Sequence, residues 1–286
     1  MIKKTYIIGV GLIGGSFALE IRNIFPDSSI IGIDKYDYNI NQAIELNIID
    51  YKAEINQIEN PDVIVIAVPV KSIIHLLPKI LDTVEKETLV LDFGSTKKSI
   101  CNAVKFHKNR ENFLATHPIA GTEFSGPTAA QIGLFNNKNI IICDKNKTNK
   151  STLKLALEIF REMKMKVSYM DAISHDKHIA YVSHLSHLSS FMLGKTVMDK
   201  EKNEKNIFDM AGSGFESTVR LAKSSPEMWT DIFEDNKNNV LKSLEDYINN
   251  LEQIKHLIEN DNFEEIESHL KSINYIKTIL KGINQT

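Results

Sequence analysis

Tyr6-Ile7-Ile8-Gly9-Val10-Gly11-Leu12-Ile13-Gly14-Gly15-Ser16 is the stretch that decides the fold. An apolar run stops at a Gly-x-Gly-x-x-Gly turn, and a helix opens directly behind it. Gly9 permits the tight turn, Gly11 removes the side chain that would block a pyrophosphate, and Gly14 lets the helix lie close on the sheet. The free N–H groups and positive end of that helix face an anion. A second strand, Ser29-Ile30-Ile31-Gly32-Ile33, leads to Asp34, twenty positions past Gly14. Its carboxylate can accept hydrogen bonds from ribose hydroxyls. A strand, a glycine turn, a helix and an acid at that distance describe a dinucleotide site.

Outward from this unit, strands and helices alternate. Residues 38–47 read as a helix. Residues 62–68 form an almost wholly apolar strand, as expected when helices cover both faces of a sheet, and Pro69 ends it. A helix at 72–81, a strand at 88–92 and a helix at 97–106 follow. Short strands at 112–116 and 139–143, a helix at 152–163 and a strand at 166–170 complete the series. This rhythm predicts a doubly wound, Rossmann-type parallel sheet with ligands at the carboxyl ends of its strands. From Asp171 the pattern changes to long helices at 172–198, 233–259 and 263–280, with apolar residues three and four apart. The expected organisation is a dinucleotide-binding domain at 1–170 and a helical domain at 171–286, with a substrate site in the cleft between them.

Composition excludes several classes. The net charge of −3 offers no basic field for nucleic acid or an acidic membrane surface. Cys101 and Cys143 are too few and too distant for a disulfide framework or a thiolate metal site. No apolar stretch reaches membrane-spanning length. The start runs from Met1 straight into a strand, which predicts no secretory leader and a cytoplasmic location. The chain stops soon after its last helix, which predicts no appended regulatory domain.

Three segments carry candidate chemistry. Ser95, in Gly94-Ser95-Thr96-Lys97, sits past a strand end, where it can face a ligand or simply cap a helix. His117, in Thr116-His117-Pro118-Ile119-Ala120-Gly121-Thr122-Glu123, follows the next strand. A histidine there suits a general base, because its unperturbed pKa lies near neutrality. His184 and His187, three apart in a long helix, share a face. They read as substrate groups, interior histidines or metal ligands; no Asp or Glu stands at matching helical spacing, which makes metal the weakest of the three. Arg220 can hold a carboxylate in a two-pronged contact or form a surface ion pair. Trp229, the single tryptophan, is a core residue by default.

Taken together, these segments resemble the prephenate dehydrogenase family. The resemblance is carried by Gly9-x-Gly11-x-x-Gly14-Gly15-Ser16, Gly94-Ser95-x-Lys97, His117-Pro118-Ile119-Ala120-Gly121-Thr122-Glu123 and Ser183-His184-Leu185-x-His187. Gly214-Phe215, Arg220-x-Ala222 and Ser225-Pro226-x-Met228-Trp229 continue it, so that it covers nearly the whole chain. One departure is visible: many relatives carry a basic residue and an aspartate where this chain has Glu216 and Ser217.

The resemblance implies NAD-dependent oxidative decarboxylation of prephenate to 4-hydroxyphenylpyruvate, a step toward tyrosine. It implies that His117 binds the ring hydroxyl and accepts its proton while Ser95 orients that hydroxyl beside the nicotinamide. Arg220 would anchor the ring carboxylate, His187 would contact the pyruvyl side chain, His184 would support the cleft or the substrate, and Thr122 would be a further substrate contact. Gly9, Gly11, Leu12, Ile13, Gly14, Asp34, Pro69 and Ser95 would hold NAD, with NAD preferred over NADP because Asp34 repels a 2′-phosphate. No metal is implied. The family also implies a homodimer through the helical domain. Arogenate, with an amine in place of the keto group, is the alternative substrate. A β-hydroxyacid dehydrogenase would use a lysine in a motif that Lys195 lacks, and a non-catalytic NAD-binding sensor would have no need of Ser95, His117 and Arg220 together.

Overall fold

The computed structural model describes residues 2–204 and 206–285. Strand β1 (Lys4–Ile8) feeds the glycine turn and helix α1 (Leu12–Ile24), followed by β2 (Ser29–Ile33) and α2 (Asp37–Glu45). Next come β3 (Tyr51–Lys52), β4 (Val63–Ile66), α3 (Val70–Thr83), β5 (Leu89–Asp92), α4 (Lys98–Ala103) and β6 (Phe113–Pro118). Then follow β7 (Asn139–Cys143), α5 (Lys150–Glu162) and β8 (Lys166–Met170). The eight strands form one sheet in the order β3-β2-β1-β4-β5-β6-β7-β8. The order reverses beside β1, at the point where an open α/β sheet leaves a crevice for ligands.

Alternation along each strand divides the core into two layers. Ile7, Val65, Leu91 and Leu114 pack with Phe17, Ile21 and Phe160 on one face. Ile8, Ile66, Val90 and Ala115 pack with Ile73, Leu77 and Ile100 on the other. The register aligns Ile8 with Ile33 and Ile66, and Ile66 with Asp92, which pairs with Ala115. The segments that follow these residues therefore emerge along one edge of the sheet. They carry Gly9, Asp34, Pro69, Ser95 and His117.

Two features depart from the alternating pattern. The strand pair β7 and β8 runs against the other six, because β7 pairs antiparallel with β6. Residues 119–138 contain one 3₁₀ turn and no α-helix to carry the chain back across the sheet, and a parallel return needs such a crossover. The two-residue β3 was also missing from the expectation; it is too short to show a period.

The helical part runs through α6 (Ala172–Ile179), a π-helical turn at Ala180–His184, and α7 (Leu185–Glu201). It continues through α8 (Ser213–Val219), α9 (Pro226–Asp235), α10 (Lys237–Glu259), α11 (Phe263–Ile273) and α12 (Ile276–Gln285). The helix expected over 172–198 is interrupted by the π turn, a device that often marks functional positions. The helix expected over 233–259 is broken at Asn236, whose buried side chain donates to the Asp176 carbonyl at 2.7 Å. The helix expected over 263–280 is two helices. Asp171 caps α6 by accepting the Ile173 and Ser174 N–H groups, and Ser225 caps α9 with Pro226 in its first turn. The chain divides into two compact units, Met1–Lys237 and Asn238–Thr286. Helices α6 to α9 therefore belong to the same unit as the sheet.

Candidate active site

The glycine turn is built as its sequence requires. Gly9 adopts φ +92°, and a Cβ there would lie 2.4 Å from the Ala67 carbonyl oxygen. A Cβ on Gly14 would lie 2.0 Å from the Gly9 carbonyl oxygen. Gly11 differs, since a Cβ would meet nothing within 4 Å. Its lack of a side chain answers no packing need and leaves open the approach to the start of α1. That start has no side-chain cap and no acid in its first turn, so its N–H groups and dipole are free for an anion. Asp34 accepts from the Val10 N–H at 3.1 Å, the Tyr36 N–H at 3.0 Å and the Asn39 amide at 3.1 Å, which ties the end of β2 to the glycine turn. These residues fit a dinucleotide. Leu12 is buried, Ile13 is half-buried, and Pro69 is exposed at the start of α3.

A buried ion pair lies under the next turn. Lys97 and Asp92 are both fully buried and bonded to each other, and the Lys97 ammonium also donates to the Thr116 carbonyl at 2.8 Å. Burial pushes the Asp92 carboxyl up, and Lys97 opposes the shift. Asp92 further accepts the Gly94 N–H at 3.0 Å, which shapes the turn that presents half-buried Ser95. Thr96 donates to Asp235 of α9 at 2.6 Å, and Lys71 of α3 pairs with Asp231 at 3.0 Å and Glu234 at 2.6 Å. These bonds seat α9 against the ligand edge of the sheet.

His117 ends β6. Its Nδ1 lies 2.9 Å from His175 Nε2, and His175 Nδ1 lies 2.8 Å from Asp176 Oδ1. Asp176 in turn accepts the Lys97 N–H at 2.7 Å and the Lys98 N–H at 2.9 Å. Burial, reinforced by the positive charges that His175, Lys97 and His184 would present, holds His117 well below the ordinary histidine value of 6.5. Burial also lowers His175, against the pull of Asp176. The pKa near neutrality expected for a free histidine therefore does not apply, and His117 is neutral at physiological pH.

The opposite wall comes from the helices. Arg220, 52% exposed, pairs with Glu123 at 3.7 Å. His187 stacks on Trp229 with ring centroids 3.7 Å apart, and its Nδ1–H donates to the Ser183 carbonyl at 2.9 Å. His184 is fully buried, accepts from the Asn236 amide at 3.2 Å, and is held at about 4 by burial. Its ring packs edge-on to Trp229, which is itself buried. Thr122 is exposed and its hydroxyl accepts the Phe124 N–H at 3.2 Å. A cleft of about 540 Å³ opens beside it, lined by Glu123, Phe124, Ser125, Thr128, Ala129 and Gln131. Glu216 pairs with Lys223 at 3.7 Å on the surface, and Ser217 donates back to the Gly214 carbonyl at 3.0 Å. Lys195 is exposed on α7 and paired with Asp199.

The sequence reading passed over His175, Asp176 and Glu123. The first two stand next to each other in the chain, but their partners lie 58 and 79 positions away. Glu123 fell within a quoted motif without being given a part.

A glycine turn for a dinucleotide, with a neutral histidine on the same sheet edge and an arginine on a helical wall, defines a dehydrogenase-type site. Comparison with known proteins narrows the class. Residues 17–169 match the family model for the prephenate dehydrogenase nucleotide-binding domain, and residues 171–272 match that for the prephenate dehydrogenase dimerization domain. A prephenate dehydrogenase of Bacillus subtilis is 30% identical over 275 residues, spanning 94% of this chain and 74% of that protein. The prephenate dehydrogenase of Aquifex aeolicus, solved with hydroxyphenyl propionate and NAD⁺, superposes with a TM-score of 0.90 at 33% identity, covering 98% of this chain and 99% of that one. Synechocystis arogenate dehydrogenase superposes with a TM-score of 0.77 at 26% identity, covering 96% and 98%. The chain belongs to the prephenate dehydrogenase family.

Proposed function

We propose that this protein is an NAD-dependent prephenate dehydrogenase that forms 4-hydroxyphenylpyruvate on the route to tyrosine. The observation that carries this reading is the placement of neutral His117 on the same sheet edge as the open glycine turn. The turn of Gly9, Gly11, Leu12, Ile13 and Gly14 would hold the pyrophosphate, Asp34 would take the ribose, and Pro69 and Ser95 would complete the cofactor site. When bound, the cofactor supplies the hydride acceptor, and the protein supplies alignment and charge.

His117 takes the proton of the ring hydroxyl as hydride leaves the same carbon. The ring carboxylate departs as carbon dioxide, its bonding electrons aromatise the ring, and His117 returns the proton to the phenolate oxygen. Ser95 orients the hydroxyl. Arg220 holds the ring carboxylate in a charge-assisted contact. His187, fixed by its stacking on Trp229, meets the side chain, and Thr122 borders the substrate. Buried His184 supports the wall on which His187 stands.

Prephenate is favoured over arogenate because the Glu216 carboxylate, which could otherwise meet an amine, is engaged by Lys223 at the surface. The functional division falls at 170/171, with a dinucleotide-binding part at 1–170 and a substrate and dimerisation part at 171–286. A homodimer is supported by the half-exposed apolar residues Leu251, Ile258, Phe263, Ile273 and Ile276 on α10 to α12. Among the described residues no helix is long and apolar enough to cross a membrane, and a cytoplasmic location goes with this reading.

Protein, NAD⁺ and prephenate are mixed, and the absorbance of reduced nicotinamide is followed. Turnover with prephenate exceeding that with arogenate, and with NAD⁺ exceeding that with NADP⁺, is expected. Absence of turnover with both substrates overturns the assignment. Light scattering that gives a monomer mass at micromolar protein overturns the dimer.

A further inference from the structure

The buried chain of contacts behind His117 ends on a carboxylate whose two oxygens are both occupied by backbone donors. We propose that His175 is a positioning residue that locks His117 in the tautomer with the proton on Nδ1, leaving Nε2 bare for the substrate hydroxyl. The inference rests on His117 being the base.

The argument starts at Asp176. Its oxygens accept the Lys97 and Lys98 N–H groups, and an ionised carboxylate can only accept. The contact at 2.8 Å from Asp176 Oδ1 to His175 Nδ1 is therefore an N–H donated by His175. His175 is 1% exposed and its pKa lies below the ordinary value, so the ring is neutral and its single proton is on Nδ1. His175 Nε2 then has only a lone pair to offer. The contact at 2.9 Å from His117 Nδ1 must be donated by His117. A neutral His117 has one proton, now placed on Nδ1, and Nε2 is left unprotonated. The opposite tautomer would set two lone pairs against each other in a buried site, the costly case of an unmade hydrogen bond.

The other ionisable groups around this chain are already engaged. Lys97 bonds to Asp92 and the Thr116 carbonyl, and His184 bonds to Asn236. They set the charge around the imidazoles and make none of the contacts that choose the tautomer. The arrangement suits a base that must take a proton and give it back, because the imidazolium formed on the way keeps its second N–H bonded to His175.

Nitrogen NMR of ¹⁵N-labelled full-length protein reads the tautomer directly. The expected spectrum shows His117 Nε2 unprotonated and Nδ1 protonated; a protonated Nε2 in the wild type overturns the proposal. Two variants test the consequence. His175→Leu removes the acceptor, and kcat is expected to fall by about 10- to 100-fold, the range seen when the partner that orients a metal-ligating imidazole is lost. KM for prephenate and affinity for NAD⁺ stay within roughly threefold, since neither ligand is touched. His175→Gln restores an amide oxygen for the Nδ1–H and is expected to recover most of the loss. A Leu variant that retains kcat, or a Gln variant no better than Leu, overturns the proposal. Should the Leu variant fail to bind NAD⁺ through misfolding, the wild-type spectrum and the Gln variant decide alone. The spectrum does not depend on turnover, so it fails separately from the base assignment, which His117→Asn tests.

Discussion

On the sheet side of the site, His175, Asp176 and Lys97 are buried, and His117 is joined to them by contacts at hydrogen-bond distance. On the helical side, Arg220 has half its side chain in solvent and meets Glu123 only at 3.7 Å. Under the proposed mechanism, the difference follows the work each wall would have to do. A proton acceptor must hold one tautomer and one charge state before the substrate arrives; the contact with His175 would fix the first and burial the second. A carboxylate anchor must admit its ligand from water, and an exposed, loosely paired guanidinium allows that at little cost. Substitutions on the buried wall should therefore act on the transition state and on folding. Substitutions on the exposed wall should act mainly on substrate binding.

His117→Asn breaks the buried wall at its working end and carries the largest expected effect. Asparagine keeps a polar group of similar size but cannot accept the proton. The turnover number kcat should fall by about 10²–10⁴-fold with KM little changed. The direction of the His117 shift adds a second readout. With its pKa well below 6.5, the base stays ready as pH falls, so the acid limb of wild-type activity should lie below the ordinary histidine range. That limb should be absent from the variant. A variant that keeps both the limb and most of its kcat would remove His117 from the chemistry.

Lys97→Met tests whether the buried wall is also a folding element. It leaves Asp92 buried without its cation, to stay charged unpaired or to take up a proton, and removing one partner of such a pair typically costs about 3–5 kcal/mol. Urea unfolding should show a loss of that order. A midpoint unchanged from wild type would mean that the buried pair adds nothing net to stability.

Arg220→Ala addresses the exposed wall. Loss of a desolvated pair with the substrate carboxylate should raise KM, on the order of 2–5 kcal/mol in kcat/KM, with a smaller loss of kcat from poorer alignment. Stability should change by no more than about 0.5 kcal/mol, because an exposed pair contributes little to folding. A large fall in stability with KM intact would reverse the contrast between the walls.

The local parts of this design were legible in the sequence. The glycine turn, the two strands beside it and Asp34 lie within one short stretch, and each has a conformational or charge requirement that only certain residues meet. The parts that depend on distant partners were not legible. Lys97 was visible in its motif, yet nothing in the order of residues says that its ammonium goes under the sheet edge to Asp92. His175-Asp176 looks like an ordinary polar pair on a helix until the fold brings β6 and the β5 turn against it. The break at Asn236 was hidden for a related reason. Apolar spacing continues on both sides of it, and the kink is set by a buried amide reaching Asp176 and His184. The reversed direction of β7 could have been read from the missing helix between residues 119 and 138.

A further effect concerns the buried imidazole His184 and comes from acid. In the unfolded chain histidine titrates near 6.5, whereas His184 in the fold is held at about 4 by burial. Between those values the unfolded chain binds more protons than the folded one, so stability rises with pH and is lost as pH drops through that window. The shift corresponds to on the order of 3 kcal/mol, and His117 and His175 act in the same direction. Urea midpoints measured from neutrality down to about pH 4.5, above the range where most carboxylates titrate, should decline steadily. In His184→Gln the decline should be shallower, because one of these three imidazoles held below the ordinary value no longer has a proton to take up. Arg220→Ala, on the exposed wall, should follow the wild-type curve. If His184→Gln declines as steeply as wild type, His184 is protonated without cost, and its surroundings are wetter than its packing against Trp229 and Asn236 indicates.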